Sequence, residues 1–398
     1  MNNYRNEFLI YEKHPDLIYF DSAATSLTPK VVVDEILNYY HYERSTVNRG
    51  ESKIVNKNNQ KYQMVRESIA KFLNANNHEI IFTKSTTSAL NFLAQNLIEQ
   101  LNPGDEIILS ELEHHSNLLS FRERAKKNNI IIKYAPIKNL EIDYEKLEQM
   151  INEKTKIISL HHVSNVIGDK INLELIGNLC QKNNIIFCVD GAQGILHEKV
   201  DVKKYNIDFY VFSGHKIFGP TGIGVLYGKE KYLSDFIFEY GGDMADYVDK
   251  ENLIKKPLPQ RLEAGTPSIS EVLALGKAIE FIEKIGITNL EKNNLEIRNY
   301  CLKKMQEISE IEIYNDNINT SIISFNLKDI SVHDALACYA KYNISLRGGQ
   351  MCNALSLELI KQNAILRISF NIYNTKKEVD QFIDVTKKII NDPLLWME

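Results

Sequence analysis

From about residue 79 the chain alternates short apolar runs with longer stretches of helical periodicity. Residues 79–84 read as a strand and 85–100 as a helix. Further strands are expected at 106–110, 130–135, 156–160, 185–189 and 209–212, separated by helices at 116–127, 144–151 and 173–183. Apolar runs this short, with almost no polar alternation, fit strands buried on both faces, and the intervening helices fit crossover connections. The alternation predicts an α/β fold built on a mostly parallel sheet covered on both sides.

After Gly228 the pattern loosens. Residues 243–259 are polar, carry two prolines and read as a mobile loop. A long helix is expected over 268–285, capped by Ser268, with Val272, Leu275, Ile279 and Ile282 on its apolar stripe. From 286 onward the pattern suggests helix, strand (321–327), helix (332–342), two strands (the second at 365–370) and a final helix (376–390), an α+β arrangement. The expected organisation is a large domain over 20–285 and a small α+β domain formed by 1–19 and 286–398.

The chain has 398 residues, 44% of them hydrophobic, enough for a sizeable core, and its net charge of −5 gives no reason to expect a nucleic-acid or anionic-membrane partner. No apolar run approaches the roughly 18 residues of a membrane span. The start, MNNYRNE, lacks the apolar segment of a signal peptide, so a cytoplasmic location is expected. Five cysteines, an odd number without a C-x-x-C pair, argue against a disulfide framework and a cysteine-only zinc site, and no resident metal is expected. Cys180, Cys188, Cys301 and Cys338 sit in apolar settings, where free cysteine is a small buried hydrophobe. Cys352 sits instead in the polar, glycine-rich run Arg347-Gly-Gly-Gln-Met-Cys352, where exposure would favour a reactive thiolate; an incidental loop thiol is the alternative.

Candidate chemistry gathers at strand ends, where a doubly wound sheet places its ligands. Lys216 lies between the apolar run 209–212 and a loop with three glycines, and a confined lysine there suits covalent attachment of a carbonyl cofactor. Asp190 ends the apolar run 185–189, 26 positions upstream. Pyridoxal 5′-phosphate needs both an amine and an anion against its ring nitrogen, and the two residues together point to that cofactor. Ser213 and His215 flank Lys216 as phosphate donors. Ser85-Thr86-Thr87-Ser88 opens a helix directly after a strand and offers an anion site; read alone it is more readily a plain N-cap. Of His114 and His115, one is expected to face the site. Asn165 and Gln193 follow strand ends and offer amides to a phenolic oxygen, though each alone is as readily a turn residue. Arg367, on an expected strand edge, offers a fork that matches a carboxylate.

These runs resemble the cysteine desulfurases of the class V aminotransferase group, pyridoxal phosphate enzymes of fold type I, and are most similar to the SUF-type branch. The resemblance covers nearly the whole chain. It is carried by DSAAT at 21–25, EHHSN at 113–117, HVSNVIG at 162–168, VDGAQ at 189–193, SGHK at 213–216, GPTGIGVLYG at 219–228, EAGTP at 263–267 and the branch-specific R-x-G-x-x-C at 347–352. It implies a large domain with a mostly parallel, seven-stranded-type sheet plus the small domain. It also implies that Lys216 binds the cofactor and moves the substrate's Cα proton, Asp190 pairs with the ring nitrogen, and His114 stacks on the ring and shuttles protons. Thr86, Thr87, Ser213 and His215 would hold the phosphate, with Thr266 reaching the cofactor of a partner subunit in a homodimer. Asn165 and Gln193 would contact the phenolic oxygen. Arg367 would clamp the substrate carboxylate, with Asn165, Arg347 and Asn48 nearby, and Cys352 would take the sulfur.

The implied activity is conversion of L-cysteine to L-alanine, with sulfur held as a persulfide and passed to a SUF-type scaffold protein for iron–sulfur cluster assembly. His333 is the residue that could ligate a scaffold's zinc transiently. A selenocysteine lyase or another class V enzyme is the alternative activity, and a non-catalytic sulfur-relay or scaffold-binding protein the alternative of another class. The chain departs from the family pattern at Gln350 and Met351, which replace two loop histidines, at Asn48, which replaces a histidine, and at Ser88, which replaces a glutamate.

Overall fold

A computed structural model describes residues 4–392; residues 1–3 and 393–398 of the expected small domain lie outside the described residues. Seven strands form the main sheet: β1 (Ile80–Thr83), β2 (Glu106–Leu109), β3 (Ile131–Tyr134), β4 (Thr155–His161), β5 (Ile186–Asp190), β6 (Phe209–Ser213) and β7 (Gly224–Gly228). Their order is β1-β7-β6-β5-β4-β2-β3, and only β7 runs antiparallel to its neighbours. The expected α/β class with a mostly parallel seven-stranded sheet is therefore found. The centre of the sheet is apolar on both sides, with Ile157, Ile158, Phe187, Cys188, Phe209 and Val211 all solvent-free.

The crossover helices follow the expected places within a few residues. The helix Ile269–Ile285 has Ser268 at its N-cap position, but the serine side chain makes no capping bond, so the sequence-based cap is not realised. The stretch 243–259 is not an unstructured loop: Ala245–Val248 and Leu253–Lys255 pair as an antiparallel hairpin. The polar composition there reflects exposure on both faces rather than lack of pairing.

A second sheet orders β8 (Ile311–Ile313), β9 (Ile322–Leu327), β11 (Ile365–Ser369) and β10 (Arg347–Gly349). Its own core includes Phe325, Tyr339, Leu366, Ile368 and Phe382. The N-terminal segment divides between the two units. Ile18 and Tyr19 pair parallel with Ile344 and Ser345 beside this core, whereas Phe8 packs on Phe218 and Phe281 of the large unit. The helix Ile287–Gln306 bridges them, placing Leu290 in the large core and Cys301 and Met305 in the small one. The four cysteines expected as buried hydrophobes are buried, and Cys352 is exposed.

Candidate active site

The ends of β4, β5 and β6 and the helix N-termini after β1 and β2 converge on a cavity of about 250 Å³, closed on one side by the 347–352 loop and Arg367. Lys216, Asp190, Gln193, His114, Asn165, Thr86, Thr87, Ser213, His215, Arg347, Cys352 and Arg367 all line it. Residues scattered over 282 positions of sequence thus meet because parallel strands present their C-terminal ends to one side of the sheet.

Lys216 closes a single turn, Gly214–Lys216, directly after β6. The DSAAT run and the following Ser26 clamp that turn: the Thr25 and Ser26 hydroxyls both donate to the His215 carbonyl, and Phe218 N–H donates to Ser26 Oγ at 2.7 Å. Burial pushes the Lys216 ammonium down to about 8, offset in part by Asp190 and aided by Arg367. Asp190 is 5% exposed. One of its oxygens accepts the Ala192 N–H at 3.0 Å, and burial raises its pKa against the opposing pull of that bond and of Lys216. An amine of depressed pKa and a buried acid on adjacent strand ends make a nucleophile–counterion pair.

Beside them lies a cluster of donors. Ser85 caps the helix Thr86–Ile98, and Ser88 closes a capping box with it, so the serine at the usual glutamate position still completes the N-terminus. Thr86 donates its N–H to Ser213 Oγ at 2.8 Å, and Thr87 Oγ1 lies 2.7 Å from Ser116 Oγ. The anion-site and helix-cap readings of this run are compatible: Ser85 and Ser88 cap, while Thr86 and Thr87 face the cavity. Gly224 allows the approach, because a Cβ there would stand 2.8 Å from the Ser85 carbonyl carbon and 2.9 Å from Phe212 O.

His114 is the N-cap of the helix His115–Lys127 and accepts the Ser116 N–H on Nδ1 at 3.1 Å. That bond leaves the proton of the neutral ring on Nε2. Burial, then Lys216, push the ring down to about 4, so it is neutral at physiological pH. His115 turns away and accepts the Ala354 N–H.

The Cys352 loop is held in place. The Cys352 carbonyl accepts the His115 N–H at 2.8 Å, Asn165 Nδ2 donates to Met351 O at 2.8 Å, and Asn353 Nδ2 donates to Leu112 O and Asn165 Oδ1. Met351 and Cys352 both adopt positive φ (54° and 53°), a costly backbone for non-glycine residues that this set of bonds maintains. The Asn165 amide is thereby committed to the loop, and Gln193 Nε2 donates to Ala23 O at 2.6 Å. Arg367, 3% exposed, donates to Asp21 Oδ1 and to Asn165 O.

Three expected residues lie elsewhere. Asn48 is exposed and donates its backbone N–H to Asn59 Oδ1. Thr266 lines a separate cleft with Tyr62 and Phe82. His333 is exposed in the first turn of the helix Val332–Lys341, whose cap is Ser331. Two buried partnerships are not announced in the sequence. Glu263 is bound in a two-pronged pair by buried Arg66 at 2.8 Å on each prong, and it fixes the start of the EAGTP run. His161, the last residue of β4 and one residue beyond the expected end of that strand, lines the cavity. His162 faces the opposite side, between Tyr210 and Glu198.

The aminotransferase class-V family model matches residues 18–382. A probable cysteine desulfurase of Staphylococcus aureus (strain N315) is 38% identical over 378 residues, covering 94% of this chain and 92% of the relative. Among solved structures, the cysteine desulfurase CsdA of Escherichia coli matches with a TM-score of 0.91 and 31% identity, covering 98% of both chains. The cysteine desulfurase of Thermococcus onnurineus NA1 matches with a TM-score of 0.93 and 32% identity over 97% of both.

Proposed function

Because the chain belongs to the class-V aminotransferase family, we propose that it is a pyridoxal phosphate-dependent cysteine desulfurase that converts L-cysteine to L-alanine and holds the sulfur on Cys352. The observation that carries this is the meeting of Lys216, Asp190, Arg367 and Cys352 in one cavity. The residues fit the cofactor: a lysine of depressed pKa, a buried acid with one uncommitted oxygen, and hydroxyl and N–H donors at a helix start suited to a phosphate. When bound, the cofactor supplies an electron sink for the carbanion at Cα.

In this account Lys216 anchors the cofactor, and its amine then takes and returns the Cα proton. Asp190 would pair with the ring nitrogen, and His114 would stack on the ring, with its Nε2–H available as a donor. Thr86, Thr87, Ser213 and His215 hold the phosphate. Gln193 and Asn165 would contact the phenolic oxygen, with Gln193 Nε2 also donating to Ala23 O and Asn165 Nδ2 to Met351 O. Arg367 takes the substrate carboxylate, with Arg347 beside it. The Cys352 thiolate attacks the substrate sulfur: the new S–S bond forms, the C–S bond breaks, and its electron pair stays on carbon, which gains a proton to become the alanine methyl. A persulfide remains on Cys352.

The chain acts as a homodimer in this reading. Thr266 lies outside its own chain's cavity, and an exposed apolar surface runs along the helix Lys30–Asn38 (Val31, Val33, Leu37) and the hairpin (Tyr247, Val248, Ile254). The acceptor is a scaffold protein of iron–sulfur cluster assembly, SUF-type, with exposed His333 as a transient zinc ligand. No helix among the described residues is long and apolar enough to cross a membrane, and the proposed location is the cytoplasm. Incubating purified protein with L-cysteine and a candidate zinc scaffold tests the whole reading. Alanine should form, faster with the scaffold, and His333→Ala should lose only the stimulation. Cofactor bound without alanine formation would overturn the activity, and equal stimulation of both proteins the zinc exchange.

A further inference from the structure

One buried cluster reaches the cavity wall through His161 and has no part in the steps above. His161 ends β4 and stands in register with Asp190 of β5, so both side chains project to the same face of the sheet. His161 Nδ1 is 2.9 Å from Glu113 Oε1, and Nε2 is 3.3 Å from Asp169 Oδ2. The three residues are 3%, 1% and 1% exposed. A neutral imidazole has one N–H, so its other nitrogen would aim a lone pair at a carboxylate oxygen. With a carboxylate on each side, the ring sits as a two-donor imidazolium.

The rest of the cluster favours that state. Glu113 Oε1 also accepts from Ser110 Oγ and from the His161 backbone N–H, and Oε2 accepts from Asn117 Nδ2. Burial alone would lower the His161 pKa, but Glu113 and Asp169 together push it up to about 10. The charged groups acting on Asp190 are then Lys216 from the turn after β6, Glu113 from the loop after β2, and His161 from β4. Glu113 opposes ionisation of Asp190, whereas Lys216 and His161 favour it. Once Lys216 is engaged with the cofactor, His161 is the remaining protein cation of the three.

We propose that His161 is a positioning residue for Asp190: an imidazolium held between Glu113 and Asp169 that offsets the charge of Glu113 and keeps Asp190 anionic. This rests on the cavity being the pyridoxal phosphate site. The role differs from simple packing because it depends on charge, and charge can be restored without restoring shape.

The test uses the purified full-length protein, with and without pyridoxal phosphate. In wild type freed of cofactor, nitrogen-15 NMR should find both His161 ring nitrogens protonated up to pH 8; a neutral tautomer at that pH overturns the proposal. His161→Gln should bind pyridoxal phosphate roughly tenfold or more weakly, the scale of one lost charge interaction in a partly buried site. The double variant Glu113→Gln/His161→Gln should recover most of that affinity, since the charge being cancelled is also gone. Wild-type affinity in His161→Gln, or a double variant as weak as the single, overturns it. Failure of wild type itself to bind pyridoxal phosphate would instead overturn the cofactor assignment.

Discussion

Arg367 Nη2 lies 3.0 Å from Asp21 Oδ1 across 346 positions of sequence, so the arginine proposed to bind the substrate carboxylate is already gripped by a carboxylate of the protein. Its Nη1 is spent on the Asn165 carbonyl, while Nε has no partner among the described residues. Asp21 therefore aims the guanidinium, and the proposed substrate carboxylate would share it with Asp21. Arg367→Lys keeps the charge and loses the fork. It should raise KM for L-cysteine by roughly 10- to 150-fold, the span of a charge-assisted contact, with cofactor affinity little changed. Steady-state kinetics with cofactor content measured in parallel checks this, and an unchanged KM would move the clamp to Arg347.

Lys216 should attach the cofactor in a pH-dependent way. Only the neutral amine attacks a carbonyl, and the neutral fraction grows as pH rises through the pKa. With the ammonium pushed down to about 8 by burial, cofactor uptake by cofactor-free protein should accelerate with a midpoint near pH 8. About a tenth of the lysine is neutral at pH 7, against well under a hundredth for an ordinary lysine. Stopped-flow absorbance reads the midpoint, and a value near that of a free lysine would mean the pocket does not tune the amine. Lys216→Ala should take up no cofactor covalently.

Gly224→Ala should weaken cofactor binding without unfolding the protein. The added Cβ would press on the Ser85 backbone from β7 and shift the start of the helix Thr86–Ile98. Thr86 and Thr87 would move with it. Isothermal titration with pyridoxal phosphate should show a loss of affinity, while circular dichroism keeps the wild-type spectrum. Unchanged affinity would detach this helix start from the phosphate.

Lys216 and Asp190 were legible because each is announced locally, by an apolar strand ending in one polar group. The parallel sheet was legible for the same reason: buried strands of four to seven residues leave uninterrupted apolar runs. What escaped was set by distant partners. The Asp21–Arg367 pair, the grip of Thr25 and Ser26 on the His215 carbonyl and the Arg66–Glu263 pair join residues that are 346, about 190 and 197 positions apart. His161 was not announced because adjacent histidines in a strand face opposite sides, and only the fold decides which of the two meets the cavity. The hairpin at 245–255 was hidden because both its faces are exposed, so no hydrophobic alternation marks it. The Cys352 loop looked loose from its glycines, yet Asn165 and His115 bond its backbone, and Asn353 next to Cys352 reaches back to Leu112 and Asn165.

The central claim is that sulfur from L-cysteine arrives on Cys352. The most direct measurement is peptide mass spectrometry of the cofactor-loaded protein after one turnover with sulfur-labelled L-cysteine, with alanine counted in the same sample. One labelled sulfur on the Cys352 peptide per alanine, and none on Cys180, Cys188, Cys301 or Cys338, is the predicted result, and Cys352→Ser should abolish both. Alanine formed without label on Cys352, or label on a different cysteine, would contradict it.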